Sequence, residues 1–501
     1  MGVVAGWGQV GRRAFLQSVG GLAAGVLVGT TGCAGSKRES SRRPVPAVKP
    51  IEGPGPATTA FMDALWDDGL GLIRFPFAQG PPPVRETSWY ALGLLQRGRQ
   101  GDAERARRAI ETIIAKQYDS PGTLFHGSFP RFHGDPPLPP PTAVEFREFD
   151  PNWRQFIGTA LALSVARFGA QLGGLRVDIE RSVELAAAGE RRDRVAPDYS
   201  NIALLHAWLL AETGSTREGE TLAREIGDRY RVAGALDEHN SPTYDGVALY
   251  ALSLWREEPP SPTFADLGEE LYAGLWGNIG DTYHAGLRNV CGPYSRAVGM
   301  DLRTYSAVVG LWIWAAVGRE IAPFPDLAGE FDHAGDVCFG PLVDLFAVDV
   351  PDSARGHLER FRGERMVRAG PAGTWGATSW LGERVMLGGH TGAAVRVGGA
   401  QLHPATVHWD QGWVRVRGGG QIDAVATPRR LELTCGAPGP ATVTIGVPGL
   451  DPAAVAAGRW ELPGLQVDVT AGAAPIAAAH AVPEGVEVAY PPTNVRLDVA
   501  G

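Results

Sequence analysis

An α+β multidomain chain is the fold that this 501-residue sequence predicts: an (α/α) toroid of paired helices followed by an antiparallel β-sandwich. Between about residues 58 and 320, apolar residues recur at helical spacing in long segments that come in pairs. Many segments are apolar over more than half their circumference, as expected of helices packed on both sides. After about residue 365, short alternating runs are separated by Gly and Pro turns, which is typical of a β-sandwich.

These patterns divide the chain into five predicted parts. Residues 1–33 are predicted to be a twin-arginine or lipoprotein-like signal, and 34–57, polar and Pro-rich, a flexible tether. The toroid is predicted over 58–324, a transition segment over 325–364, and the β-sandwich over 365–501.

The amino-terminal segment has the composition of an export signal. Arg12-Arg13 followed by Ala-Phe-Leu looks like a bacterial twin-arginine signal, and the Gly- and Ala-rich run behind it is short for a membrane span. The run stops at Cys33, which resembles the acylated residue of a lipoprotein; ordinary cleavage nearby is the alternative. We therefore expect a protein of the cell envelope, periplasmic or at the surface, that meets the membrane only through a lipid on Cys33.

The composition excludes some partners. A net charge of −9 argues against nucleic acid, because phosphate binding needs a basic face. An acidic substrate would have to be held by local arginines. None of the four cysteines forms a C-x-x-C pair, so a structural zinc site is not expected, although one disulfide is possible among Cys291, Cys338 and Cys435.

Three connectors between the predicted helices are long and rich in polar side chains: 118–151, 232–243 and 277–301. In a toroid of paired helices, alternate connectors gather at one end, where long polar connectors would build a cleft. The predicted helical segments are 59–73, 86–96, 103–117, 152–172, 198–213, 217–231, 244–256, 263–276 and 302–318.

The stretch EHNSPTYDG, residues 238–246, places several reactive side chains at the start of one predicted helix. Pro242 keeps the residue before it extended, Thr243 can cap the helix, and Tyr244 falls in its first turn. The loop therefore aims its polar side chains at one helix end; these are Glu238, His239 and Asn240. The alternative is that Asn240 satisfies the loop backbone and Tyr244 packs.

Residues 281–303 form the richest basic and aromatic stretch of this acidic chain. The turn at Gly292-Pro293 predicts that Tyr294 and Arg296 project from a constrained loop, and arginine is suited to gripping a carboxylate. Tyr283 and His284 precede them, although a lone histidine is often only a hydrogen-bonded structural group.

A third stretch, EFREFDPNW at 145–153, opens another predicted helix. Asn152 is expected to cap this helix and Trp153 to pack, but Trp153 could instead form the floor of a sugar subsite. Two histidines of the same connector, at 126 and 133, lack a nearby carboxylate ligand, so no metal site is predicted. The sequence has no Gly-rich phosphate loop or nucleophile elbow, and no cofactor is expected.

An exported helical toroid followed by a β-sandwich, with Tyr, His, Asn and Arg in EHNSPTYDG, DTYHAGLRNV and GPYSRAVGMD, resembles the toroid-type polysaccharide lyases of the chondroitinase-like and heparinase II/III-like groups. The resemblance implies β-elimination on a uronate-containing polysaccharide or oligosaccharide. It implies that an Asn or Arg neutralises the uronate carboxylate while Tyr and His move protons. The catalytic residues so implied are Tyr244, His284, Tyr294 and Arg296; the substrate-binding residues are Asn240, Glu238, His239, Asn152, Trp153 and Tyr283.

Two other functions remain open on the same scaffold. One is a glycoside hydrolase that uses a carboxylate pair, Glu238 with Asp301 or Asp245. The other is a surface protein that binds a glycan without catalysis. A buried arginine beside a pair of tyrosines would favour the lyase, whereas two close carboxylates without an arginine would favour the hydrolase.

Overall fold

The computed structural model describes residues 52–190, 194–371, 373–392, 401–418 and 420–500. The predicted export signal and Cys33 lie outside these residues. Within the described part of the chain, none of the helices combines the length and the apolar character that crossing a bilayer requires.

The described residues confirm the predicted order of a helical domain followed by antiparallel sheets. The twelve α-helices found there are α1 (Pro54–Asp63), α2 (Val84–Arg97), α3 (Asp102–Ile114), α4 (Trp153–Leu172), α5 (Leu175–Ala188), α6 (Ser200–Glu212), α7 (Thr216–Ala233), α8 (Asp245–Glu257), α9 (Pro262–Thr282), α10 (Val308–Val317), α11 (Gly340–Asp344) and α12 (Asp352–Glu359).

Six of these helices form a closed inner ring. Helices α2, α4, α6, α8, α10 and α11 each contact the next one, and α11 returns to α2. Outer helices α3, α5, α7 and α9 each pack on the inner helix before them in the chain. The two layers differ because an inner helix such as α6 buries nearly its whole circumference, whereas α7 buries only a narrow stripe of small and apolar residues.

Three helices of the helical domain were not predicted: α5, α11 and α12. Helix α5 buries Ile179, Ser182, Val183 and two alanines, so its inward stripe is too small and too polar to give a clear helical period. Helix α11 has five residues, and it follows a 3-10 helix at Ala334–Phe339 within the segment 325–364, which the sequence predicted to be a transition. That segment in fact closes the ring, because α11 packs between α10 and α2.

Eighteen strands occur in the described residues. They are β1 (Trp66–Asp67), β2 (Leu72–Ile73), β3 (Tyr283–His284), β4 (Asn289–Val290), β5 (Arg365–Ala369), β6 (Trp375–Leu381), β7 (Val385–Gly392), β8 (Ala405–Trp409), β9 (Gly412–Gly418), β10 (Ile422–Thr427), β11 (Arg430–Cys435), β12 (Ala441–Gly446), β13 (Val455–Ala456), β14 (Arg459–Leu462), β15 (Leu465–Ala471), β16 (His480–Val482), β17 (Gly485–Tyr490) and β18 (Asn494–Ala500). Strands β1 and β2, and β3 and β4, form two short ladders within the helical domain.

The carboxyl-terminal strands form two antiparallel sheets that share one core. The larger sheet has the order β16-β17-β12-β9-β8-β7-β6-β5 and the smaller one β10-β11-β18-β15-β14-β13. Alternate residues of both sheets, among them Leu387, Val407, Val443, Leu431 and Leu497, point into the shared core. The first strand of the larger sheet, β5, begins at Arg365.

The larger sheet packs directly against the connector before α10. Tyr294 and His403 exchange two backbone hydrogen bonds, of 3.1 and 2.9 Å, and Ser379 Oγ donates to the carbonyl of Gly292 at 2.6 Å. Gly388 has no room for a Cβ because the backbone of Gly292 lies against it. Nearby Cys291 is a buried free thiol, as are the described cysteines at 338 and 435, so the disulfide that the sequence allowed among these three is absent.

Candidate active site

The inner helices begin at the same end of the ring, because residues at their amino termini contact one another. The Arg85 guanidinium, in the first turn of α2, lies 4.4 Å from the ring centre of Trp153, the first residue of α4. Asn152, just before α4, donates from Nδ2 to the Tyr199 hydroxyl, just before α6, at 2.8 Å. The partial positive charges of several helix ends are therefore directed toward one region, which favours an anionic ligand even though the whole chain is acidic.

Arg296 is the centre of this region. Its Nη1 lies 2.6 Å from Glu238 Oε1, its Nη2 donates to the Tyr244 hydroxyl at 3.0 Å, and its Nε donates to Gln401 Oε1 at 2.9 Å. The guanidinium lies 4.0 Å from the ring centre of Tyr244 and 5.5 Å from that of Tyr199. We call these five residues the Arg296 cluster.

Glu238 is fixed on both oxygens. While Oε1 pairs with Arg296, Oε2 accepts hydrogen bonds from the backbone nitrogen of Asn201 at 2.8 Å and from its Nδ2 at 2.6 Å. Only 2% of the Glu238 side chain is exposed, against 13% for Arg296. The pair is therefore a buried anchor that holds the guanidinium in one orientation.

The two tyrosines of the cluster occupy equivalent places in the fold. Tyr199 is the residue immediately before α6, and Tyr244 is the residue immediately before α8. Sequence reasoning selected Tyr244 and missed Tyr199. The shared position at the start of consecutive inner helices is the signal that could have identified it.

Arg296 still has capacity for a ligand. A guanidinium carries five N–H donors, and the cluster uses one on each of its three nitrogens, which leaves one on Nη1 and one on Nη2. Arginine N–H donors of this kind are suited to binding a carboxylate. An acid group of a substrate could therefore bind without displacing Glu238.

Burial controls the protonation of the cluster. It raises the pKa of the Tyr244 phenol, although the positive charge of Arg296 acts against this increase. Burial likewise raises the pKa of Tyr199 to about 12, and Arg296 again opposes it. Both phenols are therefore protonated at neutral pH and able to donate a proton.

A second titratable group near Tyr244 was missed by the sequence analysis. His333 Nδ1 lies 3.1 Å from Asp336 Oδ2 and 3.4 Å from the carbonyl of Ser306, and about a third of the His333 side chain is exposed. Burial lowers the pKa of His333, but the Asp336 carboxylate outweighs this and leaves it raised. Asp336 also raises the pKa of Tyr244, so the dyad and the Arg296 cluster are within electrostatic range of each other. The spacing His-x-x-Asp was the available sequence signal.

A buried network of hydrogen bonds and an ion pair supports the Arg296 cluster through Tyr199. Asn152 Oδ1 accepts a hydrogen bond from Arg194 Nη1 at 2.9 Å, and Arg194 pairs with Glu190. Gln155 Nε2 donates to Glu190 at 3.0 Å. Asn152 was predicted to cap α4 or to bind substrate; its side chain instead joins this network to Tyr199, and no side-chain cap bond forms at α4.

Three of the residues selected from the 281–303 stretch lie in buried packing. The Tyr294 hydroxyl donates to the carbonyl of Val290 at 2.5 Å, and Tyr283 donates to that of Ile321 at 3.0 Å. His284 uses both ring nitrogens, with Gly382 and Leu287, and stacks on Phe361. None of these contacts involves the Arg296 cluster, and the bond of His284 to Gly382 joins this stretch to the sandwich.

The other selected residues of EHNSPTYDG turn away from Arg296. Asn240 adopts a left-handed backbone conformation with φ 44°, which directs its Nδ2 to Ser379 of β6 at 3.5 Å. His239 stacks on Trp375 with ring centres 4.2 Å apart, and burial lowers its pKa to about 3.

Trp153 is half-buried, with Arg85 over its ring.

The fold and the site together define a two-domain protein in which an (α/α) toroid carries a charged and aromatic site at one end and an antiparallel sandwich packs beside it. The chain belongs to the family described as "Domain of unknown function (DUF8769)", whose model matches residues 57–348.

Two of the solved structures that are similar to the chain are lyases. A heparinase III structure matches with 8% sequence identity and a TM-score of 0.45. The match covers 91% of this chain and 86% of the heparinase III chain. A chondroitin AC lyase of Streptomyces coelicolor A3, in complex with chondroitin sulphate, matches with 11% sequence identity and a TM-score of 0.37. The match covers 92% of this chain and 81% of the lyase chain. No curated protein matches the chain.

Proposed function

We propose that the protein is a polysaccharide lyase that cleaves a uronate-containing glycan by β-elimination. The observation that supports this most directly is a buried arginine, Arg296, between the phenols of Tyr244 and Tyr199. Elimination needs a group to hold the uronate carboxylate, a base for the proton beside it, and an acid for the leaving oxygen.

In this proposal Arg296 binds the substrate carboxylate through its two remaining N–H donors. The negative charge that develops on the carboxylate when the neighbouring C–H bond breaks is stabilised by the guanidinium. Glu238 and Gln401 keep the guanidinium in place throughout, so no reorganisation is needed at the moment of reaction.

The proton transfers are assigned to His333 and Tyr244. His333, with Nδ1 held by Asp336, takes the proton from the carbon beside the carboxylate through Nε2. The electron pair of that C–H bond forms the new C=C bond, and the bond from the β-carbon to the glycosidic oxygen breaks. Tyr244 gives its proton to the leaving oxygen, and solvent afterwards returns a proton from His333 to Tyr244.

The carboxylates that a hydrolase would need are already occupied. Both Glu238 oxygens are hydrogen-bonded, and Asp245 Oδ2 accepts from the backbone nitrogen of Ser241 at 3.0 Å. Asp301 pairs with Arg303 at 2.8 Å. These contacts favour the lyase over the glycoside hydrolase.

The first test is an absorbance assay on purified protein with polygalacturonate, alginate, hyaluronan and chondroitin sulfate. With at least one polymer we expect ultraviolet absorbance to increase as the unsaturated uronate forms. Arg296→Lys should lower the rate by about 100-fold or more, because lysine keeps the positive charge but cannot donate two parallel hydrogen bonds to a carboxylate. Arg231→Lys, in an exposed ion pair on α7, is the matched control and should leave the rate unchanged. New reducing ends without absorbance would indicate hydrolysis, and binding without either product would indicate a glycan-binding protein.

The pH dependence follows from the His333–Asp336 pair. A base must be neutral, and the pKa of His333 is raised, so kcat/KM should increase with pH through a value above about 6.5, the usual histidine pKa. The rate should stay high until the protonated Tyr244 is lost above about pH 10. Asp336→Asn removes the charge that raises the histidine pKa, so the rising limb should move toward acid. An unmoved limb in this variant, or an equal shift in the exposed control Asp326→Asn, would remove His333 from the mechanism.

A further inference from the structure

Phe146 differs from every other aromatic side chain in the described residues, because it alone is more than about a third exposed. Its exposed fraction is 56%. An apolar ring of this size left in water forgoes the stabilisation that burial would give it. A single exposed apolar side chain is common on protein surfaces and needs no explanation. Phe146, however, also has an unusual backbone conformation.

The backbone of Phe146 is held in the left-handed region, with φ 64°. For a bulky residue this conformation is rare and unfavourable, so the surrounding chain must impose it. Such strain concentrates at functional sites.

The loop around Phe146 supplies that constraint. Its backbone nitrogen donates to the carbonyl of Phe149 at 2.7 Å, and Phe149 is fully buried. The Glu148 carboxylate accepts from the backbone nitrogen of Val144 at 2.8 Å and from Arg147 Nε at 2.5 Å. The loop is therefore built to present the Phe146 ring to solvent in one orientation.

This loop lies at the rim of the candidate active site. Phe149, whose carbonyl accepts from Phe146, is followed by Asp150, and Asp150 Oδ1 accepts from the backbone nitrogen of Asn152 at 2.9 Å. Asn152 in turn donates to the Tyr199 hydroxyl of the Arg296 cluster. A glycan that crosses the amino-terminal end of the ring from Arg296 toward α4 would meet Phe146 at the edge.

We propose that Phe146 is a stacking platform for a pyranose residue of the glycan chain, at a subsite separate from the reacting unit. The apolar C–H face of a sugar ring covers a flat aromatic face, so the bound sugar supplies the burial that Phe146 lacks. The assignment deepens the proposed function and rests on it for the identity of the ligand as a polysaccharide.

A protein partner would use the surface differently. Leu138 and Val144, on the same connector, are 52% and 47% exposed. A protein interface at this loop would bury the aliphatic side chains together with the ring, whereas a sugar platform depends on the ring alone. Leu138→Ala is therefore the matched control for Phe146→Ala.

The test measures affinity of the full chain for polygalacturonate, alginate, hyaluronan, chondroitin sulfate and neutral dextran by affinity electrophoresis, together with KM and kcat where a polymer is cleaved. We expect Phe146→Ala to weaken binding and raise KM by about 5- to 20-fold with kcat within about twofold, because the residue does not touch the reacting atoms. Phe146→Tyr, which keeps the ring, and Leu138→Ala should each stay within about twofold of the unaltered protein.

Urea unfolding tests whether the variants remain folded. None of these exposed side chains supports the core, so all variants should unfold at the same midpoint concentration of urea. Unchanged binding of Phe146→Ala, equal weakening by Leu138→Ala, or no binding of the unaltered protein to any of the five polymers would overturn the assignment. Phe146-dependent binding without an unsaturated product would support it while contradicting the proposed elimination.

Discussion

Tyr244→Phe is expected to lower kcat by about 100- to 10,000-fold on any uronate polymer that the protein cleaves, because it removes the proton donor for the leaving oxygen. The substitution deletes one hydroxyl and keeps the ring under the Arg296 guanidinium. Arg296 retains its bonds to Glu238 and Gln401, so the substrate carboxylate can still bind. KM should therefore change by less than about threefold, and the loss should appear in the initial rate of unsaturated uronate formation.

The matched control is Tyr230→Phe. Tyr230 is a half-buried tyrosine of the outer helix α7 whose hydroxyl donates to Asn278 at 3.1 Å, and the substitution removes the same atom from a residue outside the Arg296 cluster. It should leave kcat unchanged. If Tyr244→Phe retains full activity, or loses it only through a higher KM, Tyr244 is not the acid. Tyr199→Phe would then be the next variant, since the ring of Tyr199 also lies near the same guanidinium.

Glu238→Ala is expected to lower the free energy of unfolding by about 3–5 kcal/mol, the cost of leaving one member of a buried ion pair without its partner. The Glu238–Arg296 pair is almost wholly inaccessible, and the substitution also leaves the backbone nitrogen of Asn201 without an acceptor. Glu238→Gln should cost less, because an amide oxygen can still accept one of these hydrogen bonds. Equilibrium unfolding in urea, followed by the helical circular dichroism signal, measures both.

The exposed pair Arg231–Glu270 provides the comparison. Its side chains are 47% and 43% exposed, so Glu270→Ala should cost less than about 1 kcal/mol. The double variant Glu238→Leu with Arg296→Met should recover much of the stability lost in Glu238→Ala, since neither charge is then left buried, but it should not recover activity. Equal losses for Glu238→Ala and Glu270→Ala would show that the buried pair is not an anchor.

Local patterns were sufficient for the broad architecture. Helical spacing in segments such as α4 and α8, and alternation in strands such as β9 and β15, follow from residue types a few positions apart, so they can be read directly from the chain. Arg296, Glu238 and Tyr244 were selected for the same reason, because their chemistry and their place in polar connectors are visible without a fold.

Long-range packing decided the rest. Arg296 and Glu238 are 58 positions apart, and the packing of α8 against α10 brings their side chains within 2.6 Å of each other. Docking of the sandwich turned His284 and Tyr294 into buried packing residues, although their sequence context resembles that of Arg296. Tyr199 and His333 had no local signal as strong as a turn or a cluster of charges.

The sequence by itself determined most of the helical segments, the strand-rich character of the carboxyl-terminal part and which residue types can carry the chemistry, because these depend on short-range periodicity and side-chain identity. Only the tertiary structure decided that α11 completes the ring, that Asn240 faces the sandwich and that Phe146 is held open at the rim. The physical reason is that a side chain's partners and its burial depend on residues distant in the chain, whose positions no local pattern encodes.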